Sequence, residues 1–247
     1  MIGTSVAGVL ILLGIFIIAG MVQGAAGFGF GLVAVALMSL LVDVRDASVM
    51  LAPSTLAMNL YILLRLREHF TFDRIFPLLV AAVVGVPLGI WFLLQARVAA
   101  IDLALGILLL LAVVQGLIPV FNQKRWHPVF MGIPCGLLSG ILAGAFASGG
   151  PPAVAYVVSQ KFTRFRHSAT LQVIFLVSSS VRILILGAGG LFTQHMLAFS
   201  VAGMACAIAG AWIGLHLLHV QSDCSVRYGV LFLLAALAFH KIAAVII

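Results

Sequence analysis

Long apolar stretches separated by short polar ones make up this chain. The polar positions fall near 43–46, 65–74, 95–102, 121–128, 161–167, 189–195 and 220–227, leaving eight apolar segments between them. Uncharged apolar runs of roughly 18–20 residues are what a membrane-crossing helix needs. The runs are continuous rather than alternating, which argues against a β-barrel. The pattern therefore predicts an all-α integral membrane protein. Segments 5–42 and 129–160 are too long for one simple crossing, and each carries a glycine-rich stretch near its middle. The first such stretch, Gly24 to Leu32, reads GAAGFGFGL. Glycine costs about 1 kcal/mol against alanine in a helix interior, so these stretches are predicted to be breaks. Each long segment would then form a broken or re-entrant helix hairpin.

The two halves of the pattern match. Gly20, Gly24 and Gly29 pair with Gly140, Gly144 and Gly149, and RDASV from Arg45 pairs with RHSAT from Arg166. HFTF from His69 pairs with LFTQ from Leu191, and GVPLG from Gly85 pairs with GAWIG from Gly210. The separation drifts only from 120 to 125 residues. A duplicated unit is the simplest reading, with repeats at 1–122 and 123–247 in one integrated membrane domain.

Charge decides how the segments cross. If every segment crosses once, the loop Lys and Arg residues divide evenly between the two sides. If each long segment doubles back at its break, nine fall on one side and three on the other. Only the second arrangement obeys the positive-inside rule. Each repeat is then a hairpin plus three transmembrane helices, and the second repeat is inverted relative to the first. Inverted repeats with broken helices are a common build of secondary transporters, with substrate bound near the midplane. Both termini are predicted outside the cytoplasm. The first apolar run lacks a basic flank and a clear cleavage site, so it reads as a retained span rather than a signal peptide.

Composition agrees. The chain is 64% hydrophobic and 8% charged, whereas a soluble domain carries about 25% charged residues. Its partner is the lipid bilayer. The net charge of +7 sits in short loops between apolar runs, so it implies no nucleic-acid partner. Cys135, Cys206 and Cys224 are few and far apart, and indicate neither a disulfide framework nor a zinc site.

A helix break in a membrane frees backbone N–H and C=O groups, which must face protein or a water-filled cavity. Helix N-termini following the break direct partial positive charge there. Two such breaks could form an anion site, the alternative being close helix packing through small residues. Close packing is the favoured reading for GVPLG and GAWIG. The residues expected to line the site are Gln23, Gly24, Gly27, Gly29, Gly31 and Asn59 from the first half. The second half supplies Ser148, Gly149, Gly150, Gln172, Ser179 and Arg182.

Arg182 stands out, because it lies well inside an apolar span. An arginine there costs about 2.5–3.5 kcal/mol on insertion scales. Its guanidinium suits bidentate binding of an oxyanion. Snorkelling or a backbone-carbonyl partner is the plainer alternative. Ser178, Ser179 and Ser180 could add hydrogen bonds or back-bond within their own helix. The acidic residues, Asp43, Asp46, Glu68, Asp73, Asp102 and Asp223, all lie at span ends, so no proton relay of the usual carboxylate kind is expected. Gln194 is a further polar residue near a span. His216 and His219 stand near a span end without a carboxylate or cysteine partner, and His195 is a weak candidate for a proton carrier. No metal site, cofactor or catalytic constellation is expected, and the chain does not read as an enzyme.

These same residues carry a family resemblance. QGAAGFGFGLVAVALMSLL, GLLSGILAGAFASGGPPAVAYVVSQ and FRHSATLQVIFLVSSSVRI resemble the motif regions of the TauE/SafE family of membrane permeases, often called sulfite exporters. The resemblance runs over nearly the whole chain, and the Gly-Gly-Pro-Pro of the second region is its most specific part. It implies transport of a small anion, chiefly sulfite or an organosulfonate, across the bacterial inner membrane. The sequence thus predicts a secondary transporter, an exporter by direction, working by alternating access. An anion channel, an importer of another small organic anion and a membrane scaffold stay open as alternatives. Homo-oligomerisation is not readable from the sequence.

Overall fold

The computed structural model of the chain describes residues 6–72, 74–117, 126–220, 229, 231–232 and 234–241. The expected repeat boundary at 122/123, together with Asp73, Asp223 and Cys224, lies outside the described residues, as do the side chains of His195 and His219. The described residues form an all-α membrane protein with no strand among them.

Each overlong segment is broken where its glycines cluster. Segment 5–42 becomes α1 (Val6–Ala26) and α2 (Phe30–Met38), and segment 129–160 becomes α6 (Gly132–Phe146) and α7 (Gly150–Ser159). Left-handed backbone ends the first helix of each pair. Gly27 and Gly29 have φ of 80° and 113°, and Ala147 has φ of 54°. Only glycine adopts that region freely, so the second break holds an alanine in a conformation that disfavours it. Between the breaks run α3 (Val44–Leu66), α4 (Phe76–Gln95) and α5 (Val98–Leu117), and after the second come α8 (Arg164–Ala188) and α9 (Gln194–Val220). Helical residues recur at 229 and between 231 and 241.

Six helices are long and apolar enough to cross a membrane: α1, α3, α4, α5, α8 and α9. The sequence anticipates the last five as full spans. It also expects α1, as a retained span that forms one arm of a broken or re-entrant hairpin, and that arm is 21 residues long against 15 for α6. The reason is local. Gly24 keeps a helical conformation and α1 runs on to Ala26, where the left-handed Gly27 ends it. The chain then turns back, so that the Phe30 ring lies 6.1 Å from that of Phe16 within α1.

Polar residues cap the start of α3 and tie it to α9 beside its proline. Asp43 accepts the Arg45 N–H at 2.8 Å and so caps α3. Pro53, inside α3, cannot donate a backbone bond. Near it, Ser200 of α9 donates to the Met50 carbonyl at 2.8 Å, and Ser54 donates back to the Ser200 carbonyl at 3.0 Å. Toward the C-terminal end, Lys241 pairs with Asp102 at 2.8 Å, holding the last described helical stretch against α5.

Two helix pairs pack backbone to backbone through glycine. A Cβ added to Gly20 or Gly24 would lie 2.4 Å from the Ala207 or Ala211 carbonyl of α9. Reciprocally, one at Gly210 or Gly214 would lie 2.1 or 2.2 Å from the Ile17 or Met21 carbonyl of α1. The α4–α6 pair repeats this, with Gly85 and Gly89 against the Leu137 and Ile141 carbonyls and Gly140 and Gly144 against those of Ala82 and Val86. Pairing the glycines as the sequence does sends one interface onto the other. GVPLG and GAWIG thus serve close packing, which without a hydrophobic drive between helices is what holds them together in lipid.

Replacing Gly89 by Ala would place a methyl group 1.9 Å from the Ile141 carbonyl oxygen. Such overpacking costs about 1–3 kcal/mol, so Gly89→Ala and Gly214→Ala are expected to lower the thermal midpoint in detergent. At Gly14 nothing lies within 4 Å of an added Cβ, and Gly14→Ala is expected to leave the midpoint unchanged or raise it. A differential scanning measurement on the three variants checks both directions at once.

Candidate anion-binding site

The two breaks meet. Gly31 lies against the second break so closely that an added Cβ would sit 2.3 Å from the Ala147 carbonyl oxygen and 2.8 Å from Ser148 Cβ. Phe28, in the first break, packs beside Gly150, which opens α7. Where they meet there is a small cavity of about 20 Å³, just above the roughly 10–15 Å³ that one water needs. The starts of α2 (Gly29, Phe30, Gly31) and α7 (Ser148, Gly149) form part of its wall. Both helices therefore direct the positive ends of their dipoles toward it, about half a charge each. They are unequal as donors, because Pro151 and Pro152 leave the first turn of α7 without two of its N–H groups.

Arg182 is the one charged residue lining this cavity. It does not snorkel: it is 1% exposed. Its Nε donates to the Gly144 carbonyl at 3.1 Å, and its Nη2 donates to the Ser48 carbonyl at 3.0 Å and the Ser48 hydroxyl at 2.6 Å. Ser48 in turn donates to the Ala145 carbonyl at 2.6 Å. Gly144 and Ala145 belong to the last turn of α6, whose carbonyls have no helical partners. Arg182 and Ser48 thus cap α6, and the negative end of that helix supports the guanidinium charge without a carboxylate. The Nη1 group is buried and has no hydrogen-bond partner among the described residues.

A chain of amides ties the first break to its neighbours. Gln23 Oε1 accepts the Phe30 N–H at 2.9 Å. Gln23 Nε2 donates to Asn59 Oδ1 at 3.2 Å and to Gln172 Oε1 at 3.3 Å. Gln172 Nε2 donates to the Gly27 carbonyl at 2.9 Å. Gln23 and Asn59 line the cavity, while Gln172 and Gly27 stand one bond behind. Asn59 Nδ2, like Arg182 Nη1, is buried without a partner.

Of the expected site residues, Gln23, Gly29, Gly31, Asn59, Ser148, Gly149, Ser179 and Arg182 come together around the cavity. Gly27, Gly150 and Gln172 lie in the shell behind it. Gly24 faces α9 instead, where an added Cβ would meet the Ala211 carbonyl and Gly214 Cα. Ser178, Ser179 and Ser180 each donate to a carbonyl one turn earlier in α8. Gln194 is exposed at the start of α9, and His216 stacks on Trp212. No cluster of metal-ligating residues occurs among the described residues.

Sequence reasoning missed Ser48, Thr55, Phe175 and Ala147. The signal was available in part. Ser48, Thr55 and Asn59 are spaced 7 and 4 apart in α3, and Gln172, Phe175, Ser179 and Arg182 at 3 and 4 apart in α8. Both spacings put the residues on one helix face, and the two faces close on the same cavity.

No curated protein and no solved structure matches the chain significantly. A family match, described as sulfite exporter TauE/SafE, covers residues 12–240, and so takes in both breaks, the amide chain and Arg182. The chain belongs to the TauE/SafE sulfite exporter family, and that membership points to membrane transport of sulfite or related anions.

Proposed function

We propose that the chain is a secondary transporter that exports a small sulfur oxyanion, sulfite or an organosulfonate, from a midplane site between its two broken helices. The observation that carries this reading is the unpartnered Arg182 Nη1 in a buried wall that also holds two helix N-termini and no carboxylate. The full charge bordering the cavity is positive, two helix N-termini reinforce it, and the negative end of α6 is taken up by Arg182 and Ser48. Export needs no coupled ion, because a membrane potential negative inside drives each negative charge outward by about 2.3 kcal/mol per 100 mV.

The small cavity favours a carrier over an open channel. Space for about a single water admits an oxyanion of four or more heavy atoms only when the walls part. An inverted-repeat architecture supplies such a motion by rocking one unit against the other. Support for that architecture comes from the exchange of the α1–α9 and α4–α6 glycine contacts under the repeat pairing. In this reading the repeats are 1–122 and 123–247, the two broken segments enter from opposite faces, and the basic loops face the cytoplasm. Both termini then lie outside a bacterial inner membrane.

Arg182→Gln is expected to weaken sulfite binding by about 10–150-fold, the equivalent of one lost charge-assisted hydrogen bond at about 1.5–3 kcal/mol. Arg182→Lys keeps the charge but loses the planar fork, and should fall between. Titration calorimetry on monodisperse protein, paired with sulfite flux in proteoliposomes, measures both. Saturable flux that is unchanged in Arg182→Gln sinks the assignment, and flux that never saturates favours a channel.

Gly31→Ala tests the meeting of the breaks. Its methyl group would fall within 2.8 Å of both Ala147 and Ser148, forcing the two breaks apart. Sulfite flux should drop at least about tenfold while size-exclusion behaviour is retained. A variant that transports at the wild-type rate would show that this contact is not part of the working site.

A further inference from the structure

The hydrogen-bonding sense of the cavity is set by two backbone groups that cannot reverse. The Phe30 N–H can only donate, and it meets Gln23 Oε1. Gln23 Nε2 is therefore the donor toward Asn59 Oδ1 and Gln172 Oε1. At the far end the Gly27 carbonyl can only accept, and it takes Gln172 Nε2. Both ends impose the same orientation. Flipping any of the three amides would set N–H against N–H or oxygen against oxygen.

Asn59 consequently has its oxygen consumed and its nitrogen to spare. That nitrogen is buried without a partner, in a side chain that is 0% exposed and lines the cavity. Arg182 Nη1 is in the same state. Thr55 and Ser179 already give their hydroxyl protons to carbonyls of their own helices. The charged and amide groups left over are donors only, on two side chains held by different helices.

We infer that Asn59 is a specificity determinant that makes the site select oxyanions with no protonated oxygen and discriminate against those carrying an O–H. The inference rests on the proposed anion transport, and concerns which oxyanions qualify. An aprotic oxyanion, such as a sulfonate, offers acceptors to both spare donors. A ligand of the same shape and charge with one O–H offers these donors one acceptor oxygen fewer, and its proton must be turned away from both of them onto a hydroxyl oxygen such as that of Ser148. Sites built around polar groups reject mismatched ligands strongly for this reason.

The test compares methanesulfonate with methylphosphonate at a pH where each carries one negative charge, so that they differ by a single O–H. A second pair, sulfate and hydrogen phosphate, repeats the comparison at charge −2. Each is measured as a competitor of sulfite on the purified full-length protein, with sulfite's own binding judged in the alkaline condition of the second pair, where it carries no proton. The aprotic member of a pair should bind at least about tenfold more tightly than its partner. Asn59→Asp keeps an oxygen for Gln23 and turns the spare donor into an acceptor, so the ratio should collapse toward one or invert. Equal binding within both pairs by the wild-type protein overturns the inference, as does a ratio unmoved in Asn59→Asp. It also falls if sulfite binds while no member of either pair competes. Should Asn59→Asp fail to fold, the wild-type ratios decide alone. Failure of sulfite itself to bind strikes the transport reading instead, so the two failures are distinguishable.

Discussion

A backbone N–H or C=O released from its helix finds no water inside a bilayer, and each such group left alone costs several kcal/mol. Much of the buried polar chemistry in this chain answers that constraint. Gln23 takes the Phe30 N–H and Gln172 supplies the Gly27 carbonyl. Ser139 supplies the Gly149 carbonyl, Ser48 the Ala145 carbonyl and Arg182 the Gly144 carbonyl. The side chains that would otherwise be the least suited to a membrane interior are those that make the two breaks tolerable. What this leaves over is free for the proposed ligand. A guanidinium has more N–H groups than the end of α6 needs, and an asparagine has an amide nitrogen that the Gln23 chain does not use.

Close approach is the second requirement, and glycine meets it twice. Where the breaks touch, Gly31 admits the Ala147 carbonyl. Along the α1–α9 and α4–α6 seams, glycines facing carbonyls bring whole helices together. The first halves of the two broken segments are thus each fixed to a full-length helix of the other half of the chain. A displacement of α4 or α9 would carry α6 or α1 with it, and with them one wall of the cavity. Packing of this kind is rigid within a pair and leaves motion to the boundaries between pairs.

The fold was legible where a residue type violates its surroundings. Glycines clustered inside overlong apolar runs betrayed both breaks, and a lone arginine in a span pointed to the cavity between them. The family resemblance rested on those same stretches. What stayed hidden depends on partners far apart in the chain. Gln23 and Gln172 were visible as polar residues in spans, but their roles are set by contacts across 149 residues. Gly24 reads like its neighbours Gly27 and Gly29, yet it packs against α9 while they turn the chain. Only backbone conformation separates these uses, and local composition does not carry it. Ser48 and Thr55 passed as ordinary small residues, since a serine that back-bonds and one that caps a distant helix look alike in sequence.

The support given to Arg182 bears on how a site like this can release its ligand. A buried carboxylate partner would compete with every anion for the guanidinium, and binding would require that ion pair to break. Here the charge is stabilised by carbonyls, a hydroxyl and the end of a helix, none of which carries a full negative charge. The guanidinium keeps its long-range field while its Nε and Nη2 stay occupied, so an anion bound as proposed would meet Nη1 and not the whole fork. Under the proposed transport, attraction without the full bidentate grip would favour turnover, because a site that held its anion by every available donor would bind well and turn over slowly. The Gly144 and Ala145 carbonyls, in the last turn of α6, hold Arg182 and Ser48 at the second break. The end of that helix is itself the counter-ion.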